Sequence, residues 1–264
     1  MFFCSFKFRL NKRFICQMIS SIPIIKVDAT DSTNELAKSI LFENQKEGNF
    51  CVYTPNQLRG KGQMGAKWTS EPNKNLTFSL VIRNINLPNT ETFFVSILVS
   101  LAVIQTLEKQ LIPQLKLKWP NDILSGGKKI GGILIENNLK QSFVSSSIIG
   151  IGLNLNQLNF DGLPKASSLK LITGKTFVIE EILDELLQNL VKIPFQLKAL
   201  DKEVILQKYQ NHLFRFKQAS MFQLNSGEEF VGIIQKITPD GKLVLLLEDE
   251  EEASFEVKEI ALKY

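Results

Sequence analysis

The chain predicts an α+β protein, a mixed and largely antiparallel sheet flanked by helices, with a small β-barrel after it. Three patterns carry this. Strand runs between Leu115 and Leu153 follow one another through short turns, as consecutive hairpins do. One strongly apolar helix, Thr92 to Gln110, and two amphipathic ones, Glu180–Ile193 and Phe195–Phe214, supply the cover. From about Ser220, five short strand patterns alternate with turn signals, Asn225-Ser226-Gly227 and Pro239-Asp240-Gly241 among them.

The order begins with a strand from Ile22 to Val27. Ser32, with Glu35 three residues later, forms a capping-box pattern, and Leu36, Ala37, Ile40 and Leu41 give a helical stripe behind it. Ser32 and Thr33 therefore stand at a helix N-terminus, as caps or as ligand donors. A strand over 50–54 leads into a loop, and another runs from Leu76 to Ile82. The helix Thr92–Gln110 is interrupted by Ser96, Ser100, Gln105 and Thr106, which makes it a core helix. Leu115 to Trp119 alternates as a strand with Leu115, Leu117 and Trp119 on one face. Pro120-Asn121-Asp122 breaks it. Ser125-Gly126-Gly127-Lys128 turns the chain into a return strand, Lys129–Glu136, where Gly131-Gly132 permits close approach of a bulky group. Asn137–Gln141 turns again, and Phe143–Leu153 is the next strand. Ser167-Ser168 precede a short helix that Gly174 ends.

The 264 residues allow one large domain, or one with a small companion. Apolar residues at 44% and charged residues at 22% are ordinary globular values, and a net charge of +4 does not by itself call for nucleic acid. Three unpatterned cysteines (Cys4, Cys16, Cys51) and a single histidine argue against a protein-held metal and against a Ser-His-Asp centre. His212 reads as a helix-end residue. Free thiols without a framework point to a reducing compartment, hence a cytoplasmic location. Met1–Gln17 mixes aromatics with Lys7, Arg9, Lys12 and Arg13, which interrupt any secretory core. Residues 1–21 are set aside as an N-terminal extension, with Met1–Gln17 either disordered or the product of an upstream misassigned start. No membrane partner is expected.

The least ordinary run is Gln57 to Trp68, Q-L-R-G-K-G-Q-M-G-A-K-W. Gly60, Gly62 and Gly65 stand among Arg59, Lys61 and Lys67. Such a loop can turn sharply, present N–H groups and attract an anion. Gly60 and Gly65 have the spacing of a Walker loop, but Ala66-Lys67-Trp68 follows in place of Lys-Ser/Thr. The G-x-G-x-x-G pattern is met, but no helix follows it. On these residues alone, a solvated hairpin connection and an anion-binding loop both stand.

Four runs in order then carry a resemblance: Ser32-Thr33-Asn34; the Gly60–Gly65 loop with Trp68; Lys118-Trp119-Pro120-Asn121-Asp122; and Lys129–Glu136 (K-I-G-G-I-L-I-E) with Gly150-Ile151-Gly152-Leu153-Asn154. Together they resemble the biotin–protein ligases. The resemblance implies a class II synthetase-like catalytic domain over 22–214 and an SH3-like barrel over 215–264. It implies that biotin and ATP, with Mg²⁺, give biotinyl-5′-AMP and pyrophosphate. The biotinyl group then passes to one lysine of a biotin carboxyl carrier protein domain of a biotin-dependent carboxylase. The stretch before Ser32 is too short for a helix-turn-helix domain, so DNA is not an expected partner. A homodimer is left open.

By the same resemblance, Ser32, Thr33 and Gln57 contact the biotin ureido ring, with Gly60, Lys61, Lys129, Gly131 and Gly132 completing the biotin site. Lys129, Lys61 and Asp122 carry the chemistry, Lys129 neutralising charge at the α-phosphate. Gly62, Gln63, Met64, Gly65, Trp68, Asn121, Lys129 and Asn154 form the nucleotide side. Two departures stand out: Lys61 occupies a place where many relatives carry arginine, and Gln63 replaces a second arginine. Lysine keeps the charge but loses the bidentate fork. The alternatives are a lipoate–protein ligase and a non-catalytic nucleic-acid-binding module.

Overall fold

A computed structural model describes residues 22–43 and 48–264. The extension proposed for residues 1–21, with Cys4 and Cys16, lies outside the described residues. A seven-stranded sheet forms the larger layer. In chain order its strands are β1 (Ile24–Lys26), β2 (Phe50–Thr54), β5 (Leu76–Pro88), β6 (Leu115–Lys118), β7 (Asp122–Ser125), β8 (Lys128–Lys140) and β9 (Phe143–Leu153). Their spatial order is β1-β2-β5-β9-β8-β7-β6. Only β1 and β2 pair in parallel; the other neighbours are antiparallel, the arrangement the successive hairpins predict. Between β2 and β5, the pair β3 (Gly60–Lys61) and β4 (Lys67–Trp68) makes a separate small hairpin.

Helix α1 (Thr33–Glu43) covers one face of β2, β5 and β9 with Ala37, Ile40 and Leu41 against Phe50, Val52, Val81 and Ile148. The opposite face packs on α2 (Phe93–Lys109), α4 (Ile179–Leu190), α5 (Ile193–Ala199) and α6 (Lys202–His212). Helix α2 is apolar on nearly every side. The stretch Asn89–Lys109 is long and apolar enough to cross a membrane by composition, yet its most apolar window is 61% buried inside the protein. It is the core helix its interrupting hydroxyls predict, with Ser100 and Thr106 buried. Thr106 Oγ1 donates back to Ala102 O, and Asn189 Nδ2 of α4 donates to Thr106 Oγ1 at 3.0 Å, so the buried polar atoms are satisfied.

Three element boundaries depart from the sequence expectation. Strand β5 runs past Ile82 to Pro88, because Arg83–Leu87 form a bulge in which Asn84 and Asn86 take positive φ before pairing with β9 resumes. Strand β8 likewise continues through Asn137–Lys140, so the expected turn shrinks to Gln141 and Ser142. The single helix expected over 195–214 is two. Asp201 caps a new one, its side chain accepting from Glu203 N at 2.8 Å. Pro194 sits in the first turn of α5, where its missing N–H costs nothing. The short helix α3 (Leu169–Thr173) forms as predicted, with Ser168 as N-cap and Gly174 left-handed behind it.

The last fifty residues form a five-stranded antiparallel sheet, ordered β13-β12-β11-β10-β14. Its strands are β10 (Ala219–Leu224), β11 (Glu229–Ile237), β12 (Leu243–Leu246), β13 (Glu252–Phe255) and β14 (Ile260–Leu262). It is joined to the larger layer by a shared core and by Trp119, whose indole N–H donates to Gly241 O at 2.9 Å. His212 is the last residue of α6, and burial lowers its imidazole pKa.

Candidate active site

The N-terminus of α1, the β3–β4 hairpin and the glycine-rich centres of β8 and β9 enclose one cleft. At the helix end the capping box does not form. Gln57 takes the capping role, its Oε1 accepting from Thr33 N at 2.9 Å and from Thr33 Oγ1 at 3.2 Å. Glu35 turns the other way, to Lys61 Nζ at 2.9 Å. Ser79 on β5 lies beneath the helix start. Its hydroxyl donates to Asn34 Oδ1 at 2.6 Å and sits 2.8 Å from Thr33 Oγ1. Asn34 Nδ2 donates to Glu136 Oε2 at 2.9 Å. Ser32, Thr33, Asn34 and Ser79 are all buried, so this is a preformed polar floor.

Glycines on the sheet make room for these groups. A Cβ on Gly150 would meet Asn34 Oδ1 at 2.2 Å, and one on Gly152 would meet the Trp68 ring at 2.6 Å. Gly132 pairs directly with Gly152 across β8 and β9, and the indole of Trp68 lies against both. The hairpin loop itself is ordered by Met64 and Gly65, both at positive φ, and by Gly62 N–H donating to Ala66 O at 2.7 Å. Gly62 N–H is thus committed inside the loop. Two cations of the loop are paired: Arg59 with Asp31, and Lys61 with Glu35. The hydrogen bond from Lys61 holds the Glu35 carboxyl below its usual value and raises Lys61.

The far wall comes from the break after β6. Lys129 Nζ lies 2.5 Å from Asp122 Oδ1, and Lys118 Nζ is 4.0 Å from Asp122 Oδ2. Burial lowers the Lys118 pKa, Asp122 opposes that, and the neighbouring Lys129 and Lys165 add to it. Asn121 Nδ2 donates to Ile133 O at 2.8 Å and so holds the break against β8.

Of the residues singled out from sequence, Ser32, Thr33, Gln57, Lys61, Gly62 and Gln63 line the cleft from the helix and hairpin side. Trp68, Asn121, Asp122, Lys129 and Gly132 line it from the other. Gly60, Met64, Gly65 and Gly131 do not reach it. Gly60 and Gly131 shape it from behind, since a Cβ on Gly60 would meet Trp68 O and one on Gly131 would meet Leu153, whereas Met64 and Gly65 lie in the exposed turn of the hairpin. Asn154 lines a second cavity, which shares Lys67, Trp68 and Lys129 with the first. Among the described residues, three buried side-chain polar atoms have no hydrogen-bond partner, namely Gln63 Oε1, Trp68 Nε1 and Asn154 Oδ1. All belong to these two cavities, which is where a ligand would satisfy them. Sequence reasoning missed Ser79, Lys165 and Tyr264. Asn34 and Glu136 stood in the quoted runs without a role.

The fold is that of the biotin protein ligases. The chain is similar to biotin protein ligase from Aquifex aeolicus in complex with biotin and ATP, with a TM-score of 0.74 at 24% identity over 91% of this chain and 98% of that one. Residues 27–154 match the Biotin/lipoate A/B protein ligase family. It is 37% identical over 138 residues to the bifunctional ligase/repressor BirA of Bacillus spizizenii, a match over 52% of this chain and 42% of that protein. To the biotin–[acetyl-CoA-carboxylase] ligase of Paracoccus denitrificans it is 29% identical, over 82% of this chain and 91% of the relative. The chain thus spans less than half the length of the BirA relative and most of the shorter ligase.

Proposed function

We propose that the chain activates biotin with ATP to biotinyl-5′-AMP, releases pyrophosphate, and transfers biotin to a lysine of a biotin carboxyl carrier protein. The observation that carries this is the Lys129–Asp122 pair, 2.5 Å apart, with Lys129 in the wall common to two adjoining cavities. One cavity has a polar floor built from Ser32, Thr33 and Gln57, suited to a ureido ring, which has N–H donors and a carbonyl acceptor. The other holds the unpartnered Asn154 Oδ1, suited to an exocyclic amine. A carboxylate at the end of the first and an α-phosphate at the mouth of the second would meet at Lys129.

In the first step a carboxylate oxygen of biotin attacks the α-phosphorus, and the bond to the β-phosphate oxygen breaks. No proton moves, so positioning and charge neutralisation suffice. Lys129, and Lys61 once released by Glu35, offset the negative charge. In the second step the neutral amine of the acceptor lysine attacks the acyl carbon. AMP leaves with the electron pair of the acyl C–O bond, the new amide nitrogen gives up its extra proton to solvent, and Asp122 is the carboxylate placed to orient that amine. Magnesium enters with the nucleotide as MgATP, because phosphate oxygens are its ordinary ligands. No group of three or more His, Cys, Asp or Glu side chains converges among the described residues.

Residues 22–214 would be the catalytic domain and 215–264 an SH3-like domain, a division supported by the change from one sheet to the other after α6. A cytoplasmic location without DNA or membrane partners completes the reading, with a homodimer as a further candidate. The test is ATP–pyrophosphate exchange with and without biotin, followed by labelling of a carrier domain. Biotin-dependent exchange is expected. Exchange that depends on lipoate alone would make this a lipoate ligase, and salt-sensitive nucleic-acid binding without exchange would make it a binding module.

A further inference from the structure

The second cavity is lined by a cation, Lys165, that neither the motifs nor the polar floor explain. The segment after β9 returns to the sheet at Lys129: Lys129 N donates to Lys165 O at 2.7 Å, and Ser167 N donates to Lys129 O at 2.9 Å. This staple brings Lys165 to the mouth of the cavity. Tyr264, which follows β14 in the other sheet, lines the same cavity. The Lys165 ammonium stands 4.3 Å from the centre of the Tyr264 ring, and the Lys118 ammonium 5.2 Å from it. Phe214 holds that ring edge-on, with centroids 5.1 Å apart. Three ammonium groups, on Lys118, Lys129 and Lys165, thus gather around one carboxylate, Asp122, which reaches only Lys118 and Lys129. No carboxylate pairs with Lys165 among the described residues. Among the described residues the cluster thus sets three side-chain cations against the one carboxylate of Asp122.

Resting on the ligase reading, we infer that Lys165 and Lys118, both set over Tyr264, form the subsite for the β- and γ-phosphates and for the pyrophosphate that leaves. In-line displacement gives the direction. The acid attacks from the first cavity, so the breaking P–O bond points away from it, toward the cavity that Lys165 and Tyr264 line. The pyrophosphate departs with the bonding electron pair and gains charge as it does so, which nearby ammonium groups stabilise. Tyr264 is a positioning residue: its ring face holds the two ammonium groups, a role a phenyl ring can also fill. The two lowered-charge-tolerance features agree, since burial and the neighbouring Lys129 and Lys165 already disfavour the Lys118 cation, and an added anion would relieve that.

The experiment titrates the full chain with inorganic pyrophosphate, and separately with biotin, for the unaltered protein, Lys165→Gln, Tyr264→Ala and Tyr264→Phe. Lys165 is exposed, so its replacement does not threaten folding. Pyrophosphate should bind about tenfold more weakly to Lys165→Gln and Tyr264→Ala. Tyr264→Phe should bind as the unaltered chain does, and biotin affinity should stay unchanged throughout. Unchanged pyrophosphate affinity in Lys165→Gln overturns the subsite. A chain that binds pyrophosphate in this pattern yet makes no biotinyl-adenylate overturns the ligase reading and leaves the subsite standing.

Discussion

Lys61 Nζ lies 2.9 Å from Glu35 Oε1, so the hairpin cation best placed to meet a phosphate is already held by a carboxylate on the neighbouring helix. The pair is half-exposed at both ends, and ligand binding would have to exchange one anion for another. Glu35→Gln should therefore increase amide hydrogen exchange across residues 60–68 without ligand, with the rest of the chain unaffected. The same loosening should follow acidification. The Glu35 carboxyl is held below its usual value in the fold, so its contribution is present above the ordinary carboxylate range and fades as pH falls through the folded value. Equal exchange in the variant and the parent would show that the pair does not hold the hairpin.

Lys129→Ala removes the ammonium at the wall between the two cavities. Loss of a charge-stabilising donor costs about 2–4 kcal/mol of barrier, so adenylate formation should slow by about 30-fold to 1000-fold. Single-turnover formation of biotinyl-AMP is the measurement. A near-normal rate would remove Lys129 from the chemistry.

Gly152→Ala places a methyl group where the Trp68 ring lies, at 2.6 Å. The indole must move, because the atoms it meets belong to a ring packed on the sheet rather than to a flexible chain end. Tryptophan emission should shift, and KM for ATP should rise more than KM for biotin, since Trp68 stands between the two cavities. An unmoved emission spectrum with normal kinetics would mean that the indole does not occupy this seat.

Ser79→Ala deletes a buried hydroxyl shared by Thr33 and Asn34. Leaving Asn34 Oδ1 without its donor should cost about 1–3 kcal/mol of stability, read as a lower urea midpoint with unchanged slope. Biotin binding should weaken as well, because the helix start that presents Ser32 and Thr33 loses its support. Stability equal to the parent's would show that the polar floor is not energetically connected.

Much of this was legible in local pattern. The alternation of Leu115–Trp119, the glycine turn at Gly126-Gly127 and the cap at Ser168 each state their structure within a few residues. The boundaries that departed did so where a short-range signal was overridden. The strand expected to end at Ile82 continues to Pro88 through a bulge in which Asn84 and Asn86 take positive φ. Leu200-Asp201 reads as helix interior, yet the Asp201 side chain starts a new helix. The Ser32–Glu35 capping box is a correct pattern that lost to two long-range partners, Gln57 and Lys61.

By itself the sequence determined most of the elements and the motif runs that hold Lys129, Asp122 and the hairpin glycines, because each of those is written in a short run with its own period or spacing. Only the tertiary structure decided which side chains meet. Ser79 under Thr33, Glu35 on Lys61, and Tyr264 beneath Lys118 and Lys165 join residues far apart in the chain. Such contacts depend on sheet register and on how the second sheet docks, and no local run of amino acids encodes a distance between two of them.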